Sequence, residues 1–170
     1  MIVLAFDQAS RTSGWSVFNG QKLIDHGTFT FTDSKLGVRL WKIRQKVEEL
    51  VAYHKPDKII FEDIQLQQGP INNVETFKTL AEVFGIIYEY ATEIGIDNEA
   101  ILAGTWRKGL GIAGNRRDIQ KENAQKWVLD NCGIRVVEDE ADAICIGAYA
   151  AGIKTVKQVK KSVTPGFDWS

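Results

Sequence analysis

The sequence has few of the residues that build disulfide frameworks or zinc sites. Among its 170 residues are two cysteines, Cys132 and Cys145, which lie far apart in apolar surroundings and form no CxxC pair. This pattern is typical of reduced thiols in an intracellular protein. The two histidines, His26 and His54, are also far apart and form no metal-spaced pair. We therefore expect neither a disulfide scaffold nor a zinc site.

Long apolar runs and an excess of one charge are also missing. The longest uncharged stretch near the C-terminus, residues 143–153, is too short to cross a bilayer. At the N-terminus Asp7 interrupts the apolar run and no basic segment precedes it, unlike a signal peptide. We therefore expect a cytoplasmic protein without a membrane partner. With a net charge of −1 and 44% hydrophobic residues, we expect one domain over residues 1–164 and a frayed tail over residues 165–170.

The first half of the chain indicates three consecutive strands followed by a crossover. Residues 2–7, 13–19 and 22–31 read as an antiparallel meander, and the pair Asn19-Gly20 is a strong hairpin signal. The predicted elements that follow are a helix over 33–54 capped by Asp33 or Ser34, a strand over 58–62, a polar loop over 65–73 and a helix over 74–95.

The second half adds one strand and three helices. We predict a strand over 98–103, a short helix capped by Thr105, a glycine-rich basic loop over 107–117, and helices over 117–132 and 139–152. Strand–helix–strand connections after a meander require parallel crossovers. The predicted fold class is therefore α/β, a mixed five-stranded sheet of three antiparallel and two parallel strands. Its first strand is innermost, and helices cover both faces.

Carboxylates end two of the predicted central strands and open the last helix. Asp7 follows Ile2–Phe6, and Glu62 follows Ile59–Phe61. Because the carboxyl ends of parallel strands share one edge, we expect these two side chains to lie close together. Asp139 and Asp142 share one face of the last helix, and the small residues after them allow close approach to the sheet. Each acid also has an ordinary interpretation, as a turn cap, a solvated strand end or a helix N-terminal charge.

Four carboxylates at one edge would repel one another unless cations lay between them. Mg²⁺ and Mn²⁺ prefer oxygen ligands, and a pair of such ions about 3.5–4 Å apart is the usual device for phosphodiester cleavage. The pattern therefore predicts a two-metal hydrolytic site.

The order strand-Asp, strand-Glu, helix-DxxD resembles the RuvC-type Holliday-junction resolvases of the RNase H-like superfamily. The passages that carry the resemblance are Phe6–Ser10 with Gly14-Trp15, Ile59–Glu62, Lys78–Gly85 and Asp139–Ala143. They span nearly the whole chain, from residue 2 to about residue 151.

The resemblance implies a fold, an activity and a set of site residues. It implies a Mg²⁺-dependent endonuclease that cleaves Holliday junctions and leaves 5′-phosphate and 3′-hydroxyl ends. The expected substrates extend to other branched DNA. Mn²⁺ is the expected substitute. Matched by position, the ligands of two Mg²⁺ ions are Asp7, Glu62, Asp139 and Asp142; Glu62 is preferred to Asp63 because it directly follows the aliphatic strand. Lys121 matches one of the family's basic residues near the scissile phosphate, and Arg107 or Lys108 resembles the other.

Two departures from the family pattern affect the expected substrate. Bacterial members carry an aromatic residue shortly after the catalytic Glu, whereas residues 63–68 contain none, and the loop before Lys121 is longer by residues 115–120. Both changes weaken the expectation of strict junction selectivity. A compact, divergent chain of this kind resembles a phage-encoded member, which would act in the host cytoplasm.

Basic residues cluster between positions 107 and 126, where few acids accompany them. This surface favours phosphate binding, although a solvated helix face gives the same pattern. Trp106 can stack on a base or lie in the core. The predicted DNA-binding residues are Arg107, Lys108, Arg116, Arg117 and Lys121, and the tail adds Lys154, Lys157, Lys160 and Lys161.

Other functions remain open, and some are disfavoured. A nuclease of the same fold acting on RNA precursors, and a DNA-binding module without catalysis, both fit the sequence. The GxGxxG match over residues 109–114 does not follow its strand directly, which argues against dinucleotide binding. An actin-like or sugar-kinase ATPase would need a second lobe.

Symmetric cutting of two strands needs two active sites, so we expect a homodimer. Its interface is predicted on the helix over 74–95, where apolar residues occupy more than one face; all of them could equally serve the monomer core. The residues are Phe77, Leu80, Phe84, Ile87 and Tyr88.

Overall fold

The central strand of the sheet is the first one in the chain. The computed structural model describes residues 1–65 and 74–153. Its five strands are β1 (Ile2–Asp7), β2 (Thr12–Asn19), β3 (Lys22–Thr30), β4 (Lys58–Glu62) and β5 (Asp97–Ile101). They form one sheet in the order β3-β2-β1-β4-β5, in which β1–β2 and β2–β3 are antiparallel and β1–β4 and β4–β5 are parallel. The predicted mixed sheet with an innermost first strand is confirmed.

Five helices connect and cover these strands within the described residues. They are α1 (Leu36–His54), α2 (Val74–Glu93), α3 (Ala103–Leu110), α4 (Arg117–Cys132) and α5 (Glu138–Ala150). None of them is long and apolar enough to cross a membrane. The predicted loop over 65–73 lies outside the described residues except for Gln65, and the predicted tail over 165–170 lies outside them entirely.

Alternation along the strands divides the core into two halves. Leu4 and Phe6 of β1 pack on one face of the sheet, in a cluster with residues of α1 and α2. Val3 and Ala5 face the other side, in a cluster with residues of α3, α4 and α5. Since side chains alternate with period two, Asp7 continues the second row and lies on the side of α5.

The hairpin between β2 and β3 forms as the sequence predicts. Asn19 pairs with Lys22 across a two-residue turn. Gly20 in that turn has a φ of +57°, a left-handed conformation in which glycine has no Cβ to clash.

Two predicted helix caps and one loop boundary are wrong. α1 begins after Lys35 rather than at Asp33 or Ser34, because the carboxylate of Asp33 instead accepts hydrogen bonds from Lys42. α3 begins two residues before Thr105, at Ala103. Consequently the residues predicted as a basic loop over 107–117 begin inside α3, and the segment between α3 and α4 covers only residues 111–116.

Candidate active site

Asp7 and Glu62 lie side by side at the carboxyl ends of β1 and β4. The parallel register pairs Phe6 with Phe61, so the two acids occupy the next position on adjacent strands. Ile60 packs in the same half of the core as Ala5, which places Glu62 on the same face as Asp7. The prediction that the two acids lie at the same edge of the sheet is confirmed, and the structure adds that they lie on the same face.

Small residues bring the start of α5 against this edge. Gly14 is paired with Asp7 across β1 and β2, and a Cβ added there would lie 1.9 Å from the carbonyl oxygen of Asp139. Further along the helix, the Ser16 hydroxyl donates to the carbonyl of Ala143 at 2.7 Å. An added Cβ at Gly147 would lie 2.5 Å from the Ser16 oxygen. The close approach predicted from the small residues of α5 is therefore real, and it delivers Asp139 and Asp142 to the strand ends.

Burial and mutual repulsion destabilise the charged forms of the acids. Burial, followed by the negative charges of Glu62, Asp142 and Asp139, raises the pKa of Asp7 well above its usual range. Burial is also the main cause that raises the pKa of Asp142, to about 6. These couplings show that the four carboxylates act on one another. A cation bound between the carboxylates would therefore stabilise their charged forms.

Cations from α3 and α4 face the acids of α5. The Lys121 ammonium lies 2.8 Å from Glu138 Oε2 and 3.7 Å from Asp139 Oδ1. Burial alone would lower the pKa of Lys121, but the bond to Glu138 and the nearby acids outweigh it, so the pKa is raised. Arg107 Nη2 lies 3.9 Å from Asp142 Oδ2.

Glu62 is held by Gln8, which the sequence did not mark as functional, and by Trp106, for which the sequence offered base stacking or a core position. The side chain of Gln8, which is buried, donates to the carbonyl of Glu62 at 2.6 Å and accepts from its amide at 3.1 Å. The indole of Trp106 donates to Glu62 Oε2 at 3.0 Å. Burial raises the pKa of Glu62, and the Trp106 hydrogen bond opposes that rise. Trp106 is fully buried, so it is a core residue and not a base-stacking one.

The predicted DNA-binding residues divide into two groups. Arg107, Arg117 and Lys121 lie close enough to the site for their charges to lower the pKa of Glu62. Lys108 is exposed and lines, with Arg107, Gly104, Gly114 and Gln120, a cavity of about 440 Å³. Arg116 is exposed and pairs with Asp118. The lysines of the tail lie outside the described residues.

The donor set suits a hard divalent cation, although the side chains do not form a ready-made ligand shell. Within residues 1–65 and 74–153, no group of three or more His, Cys, Asp or Glu side chains is arranged so that it could hold a metal ion. However, Asp142 Oδ1 is buried and has no hydrogen-bond partner among the described residues. A buried, unpartnered carboxylate oxygen beside three other acids fits Mg²⁺ or Mn²⁺, which take oxygen ligands.

The order of the strands and the helices that cover them are those of an RNase H-like fold. No protein-family model matches the sequence. The chain is 26% identical over 164 residues to the crossover junction endodeoxyribonuclease RuvC of Citrifermentans bemidjiense, covering 92% of this chain and 97% of that protein. It is 25% identical over 171 residues to RuvC of Pseudoalteromonas atlantica, covering 95% and 96%.

Solved structures agree on the fold. Thermus thermophilus RuvC in complex with a Holliday junction superposes with a TM-score of 0.71 at 16% identity, covering 91% of this chain and 99% of that chain. The yeast mitochondrial Holliday junction resolvase Ydc2 gives a TM-score of 0.56 at 14% identity, covering 88% and 77%. The RNase H-like fold expected from the resemblance is therefore confirmed.

Proposed function

We propose that this protein is a metal-dependent endonuclease that cleaves four-way DNA junctions. The observation that carries the proposal is the set of four acids at the ends of β1, β4 and α5, faced by cations of α3 and α4, in a chain similar to RuvC over nearly its whole length. A binding module without catalysis would gain nothing from buried, mutually repelling carboxylates, because each one costs free energy when it is desolvated.

The four acids would hold the metal, which we propose to be Mg²⁺. When bound, the metal supplies a hydrolytic nucleophile at neutral pH and stabilises the charge that develops on the leaving oxygen. Asp7 occupies the central strand, with the other three acids around it. Burial raises the pKa values of Asp7, Glu62 and Asp142, so bound positive charge would favour the ionised forms of these three acids.

The cations of α3 and α4 would hold the DNA at this site. Lys121 and Arg107 contact acids of α5 at 3.7 and 3.9 Å, so their charged ends already lie where a scissile phosphate would enter. Lys108 is exposed and lines the cavity of about 440 Å³ beside Arg107. Arg117 is exposed at the start of α4, close enough for its charge to act on Glu62. Basic side chains on phosphates fix the register of a nucleic acid without reading its sequence, which suits recognition of a branched shape.

A homodimer is part of the proposal, because each junction needs two symmetric cuts. α2 carries partly exposed Phe77, Leu80 and Phe84 beside Tyr88, which is 52% exposed. Ile87 was included in the predicted interface, but it is fully buried against the sheet, so it is not part of the proposed interface. Tyr88→Lys should shift the sedimentation of the protein from dimer to monomer. A wild type that is already monomeric at micromolar concentration would contradict the dimer.

The test is cleavage of defined DNA substrates by matched variants. Wild-type protein should nick a four-way junction in Mg²⁺ and not in EDTA, while Asp7→Asn and Asp142→Asn should bind the junction without cutting it. Asp130→Asn, which removes an exposed acid paired with Lys126, is the control and should cut normally. Cleavage by Asp7→Asn at the wild-type rate would overturn the proposal.

Substrate choice is settled by the same assay with a Y-fork, a linear duplex and a matched branched RNA. Preference for the RNA would favour the alternative of an RNA-processing nuclease. Loss of all cleavage in every divalent metal would favour a binding module. A phage origin and a cytoplasmic location stay predictions from the sequence.

A further inference from the structure

Trp106 connects the core of the domain to two of the four acids. It lies in α3, is fully buried, and packs in the half of the core that faces α5. Its indole nitrogen donates to Glu62 Oε2 at 3.0 Å. A buried indole N–H usually has a partner, but here the partner is a carboxylate of the proposed metal site.

The hydrogen bond restricts the carboxylate of Glu62 to one orientation. A glutamate side chain has three rotatable bonds, and the last of them turns the carboxylate over a broad range. The backbone of Glu62 is fixed by two hydrogen bonds with the Gln8 side chain, one that Gln8 donates and one that it accepts, which leaves only the Glu62 side chain to be oriented. The Trp106 bond takes one acceptor position of Oε2 and leaves Oε1 outside that bond.

The same indole supports the cation that faces a second acid. The guanidinium of Arg107 lies 4.6 Å from the centre of the Trp106 ring, a cation–π contact. From there its Nη2 reaches to 3.9 Å from Asp142 Oδ2. One buried ring therefore sets both the direction of Glu62 and the position of the charge beside Asp142.

We propose that Trp106 is a positioning residue for the cleavage reaction. It orients Glu62 by its N–H and holds Arg107 against Asp142 by its ring, and it touches neither the DNA nor the reacting atoms. The proposal rests on the nuclease function proposed above. Hydrogen-bond partners of this kind typically change metal affinity or activity by about 10–100-fold when they are removed.

The chain offers a matched control in Trp127. It lies in α4, in the same half of the core, and is 6% exposed. Its indole nitrogen is buried without a hydrogen-bond partner among the described residues. Trp106→Phe and Trp127→Phe therefore remove similar volume from one core, but only the first removes a bond to an acid of the site.

The first measurement is single-turnover cleavage of a four-way junction over a range of Mg²⁺ concentrations. Trp106→Phe should raise the half-saturating Mg²⁺ concentration, or lower the maximal rate, by about 10–100-fold with junction affinity in EDTA unchanged. Trp127→Phe should match the wild type in both values. Equal losses in the two variants would mean that Trp106 acts only as core volume, and would overturn the proposal.

A second measurement needs neither cleavage nor a variant that folds. In ¹⁵N-labelled wild-type protein without DNA, the indole signal of Trp106 should shift as Mg²⁺ is added, while that of Trp127 stays still. If other residues of the site report metal binding and the Trp106 signal does not move, the proposal is wrong. If Trp106 responds to Mg²⁺ but the wild type cuts no branched DNA, the proposed function fails and the positioning of Glu62 stands.

Discussion

Replacing Gly14 with alanine should displace Asp139 while leaving all four acids of the site chemically unchanged. Gly14 is paired with Asp7 in the sheet, and the first turn of α5 crosses directly over it. A Cβ at this position would lie 1.9 Å from the carbonyl oxygen of Asp139 and 2.5 Å from its carbonyl carbon. Both are backbone atoms, so no side-chain rotation relieves the clash.

The size of the displacement follows from these distances. Ordinary contact with a Cβ begins near 3.4 Å, so the helix and the strand must separate by about 1.5 Å at Asp139. Overpacking of this kind costs about 1–3 kcal/mol, which for a domain of this size lowers the melting temperature by about 2–12 °C. A misplacement of about 1 Å in a catalytic group can lower the rate about 10²-fold. We therefore expect a folded protein with a large loss of cleavage.

The assay is single-turnover junction cleavage at a temperature well below the melting point of both proteins. Gly37→Ala is the control, because Gly37 lies in α1 with no atom within 4 Å of an added Cβ. The control should cut at the wild-type rate and be equally or more stable, since alanine favours a helix over glycine by up to about 1 kcal/mol. Wild-type cleavage by Gly14→Ala would refute the claim that this contact positions Asp139.

Three further outcomes follow from contacts of the site. Burial raises the pKa of Asp142 to about 6 from an ordinary 3.8, so the folded state binds this proton more tightly than the unfolded chain does. The free energy of unfolding of the metal-free protein should therefore fall by up to about 3 kcal/mol as the pH rises from 4 to 7. In urea unfolding with EDTA, Asp142→Asn should lack this part of the pH dependence. Gln8→Leu removes the partner of the part-buried amide and carbonyl of Glu62, which should cost about 1–3 kcal/mol and slow cleavage. Unchanged urea unfolding and an unchanged rate would contradict the role of these two hydrogen bonds. Lys121→Met should lower the cleavage rate about 10²-fold, whereas Lys126→Met, on the same helix but exposed, should not.

The parts of the site that lie on regular elements were predictable from the sequence. Asp7 and Glu62 each follow an apolar run of residues, and the parallel register of β1 and β4 places them at neighbouring positions. Asp139 and Asp142 open a helix rich in small residues, and such a helix can approach a sheet closely. Element boundaries were less predictable. Asp33 resembles a helix cap, but the nearby Lys42 provides a stronger partner for its carboxylate than the helix amides do.

The residues that hold the acids were not predictable, because their partners are distant in the chain. Gln8 follows Asp7 directly, but its hydrogen bonds go to Glu62, fifty-four positions away. In the sequence Trp106 can be a core residue, the more common outcome, or a base-stacking one, and neither interpretation indicates the hydrogen bond from its indole nitrogen to Glu62. The local sequence indicates only that a partner is needed, because a carboxylate at the end of a buried strand is costly to desolvate without one. It does not show which residues the partners are.

The contacts of Lys121 and Arg107 suggest that the cations change partners when substrate arrives. Each cation now lies near an acid of α5, at 3.7 Å from Asp139 and 3.9 Å from Asp142, and neither distance is that of a strong charge-assisted hydrogen bond. Lys121 is bound more closely to Glu138, at 2.8 Å, which lies outside the four acids. Metal at the acids would repel both side chains, and a phosphate would attract them. Glu138 therefore binds Lys121 beside the site when no substrate is present. Glu138→Gln should leave the Mg²⁺ dependence of cleavage intact and change the salt dependence of junction binding. A purely structural Glu138 would not give this result.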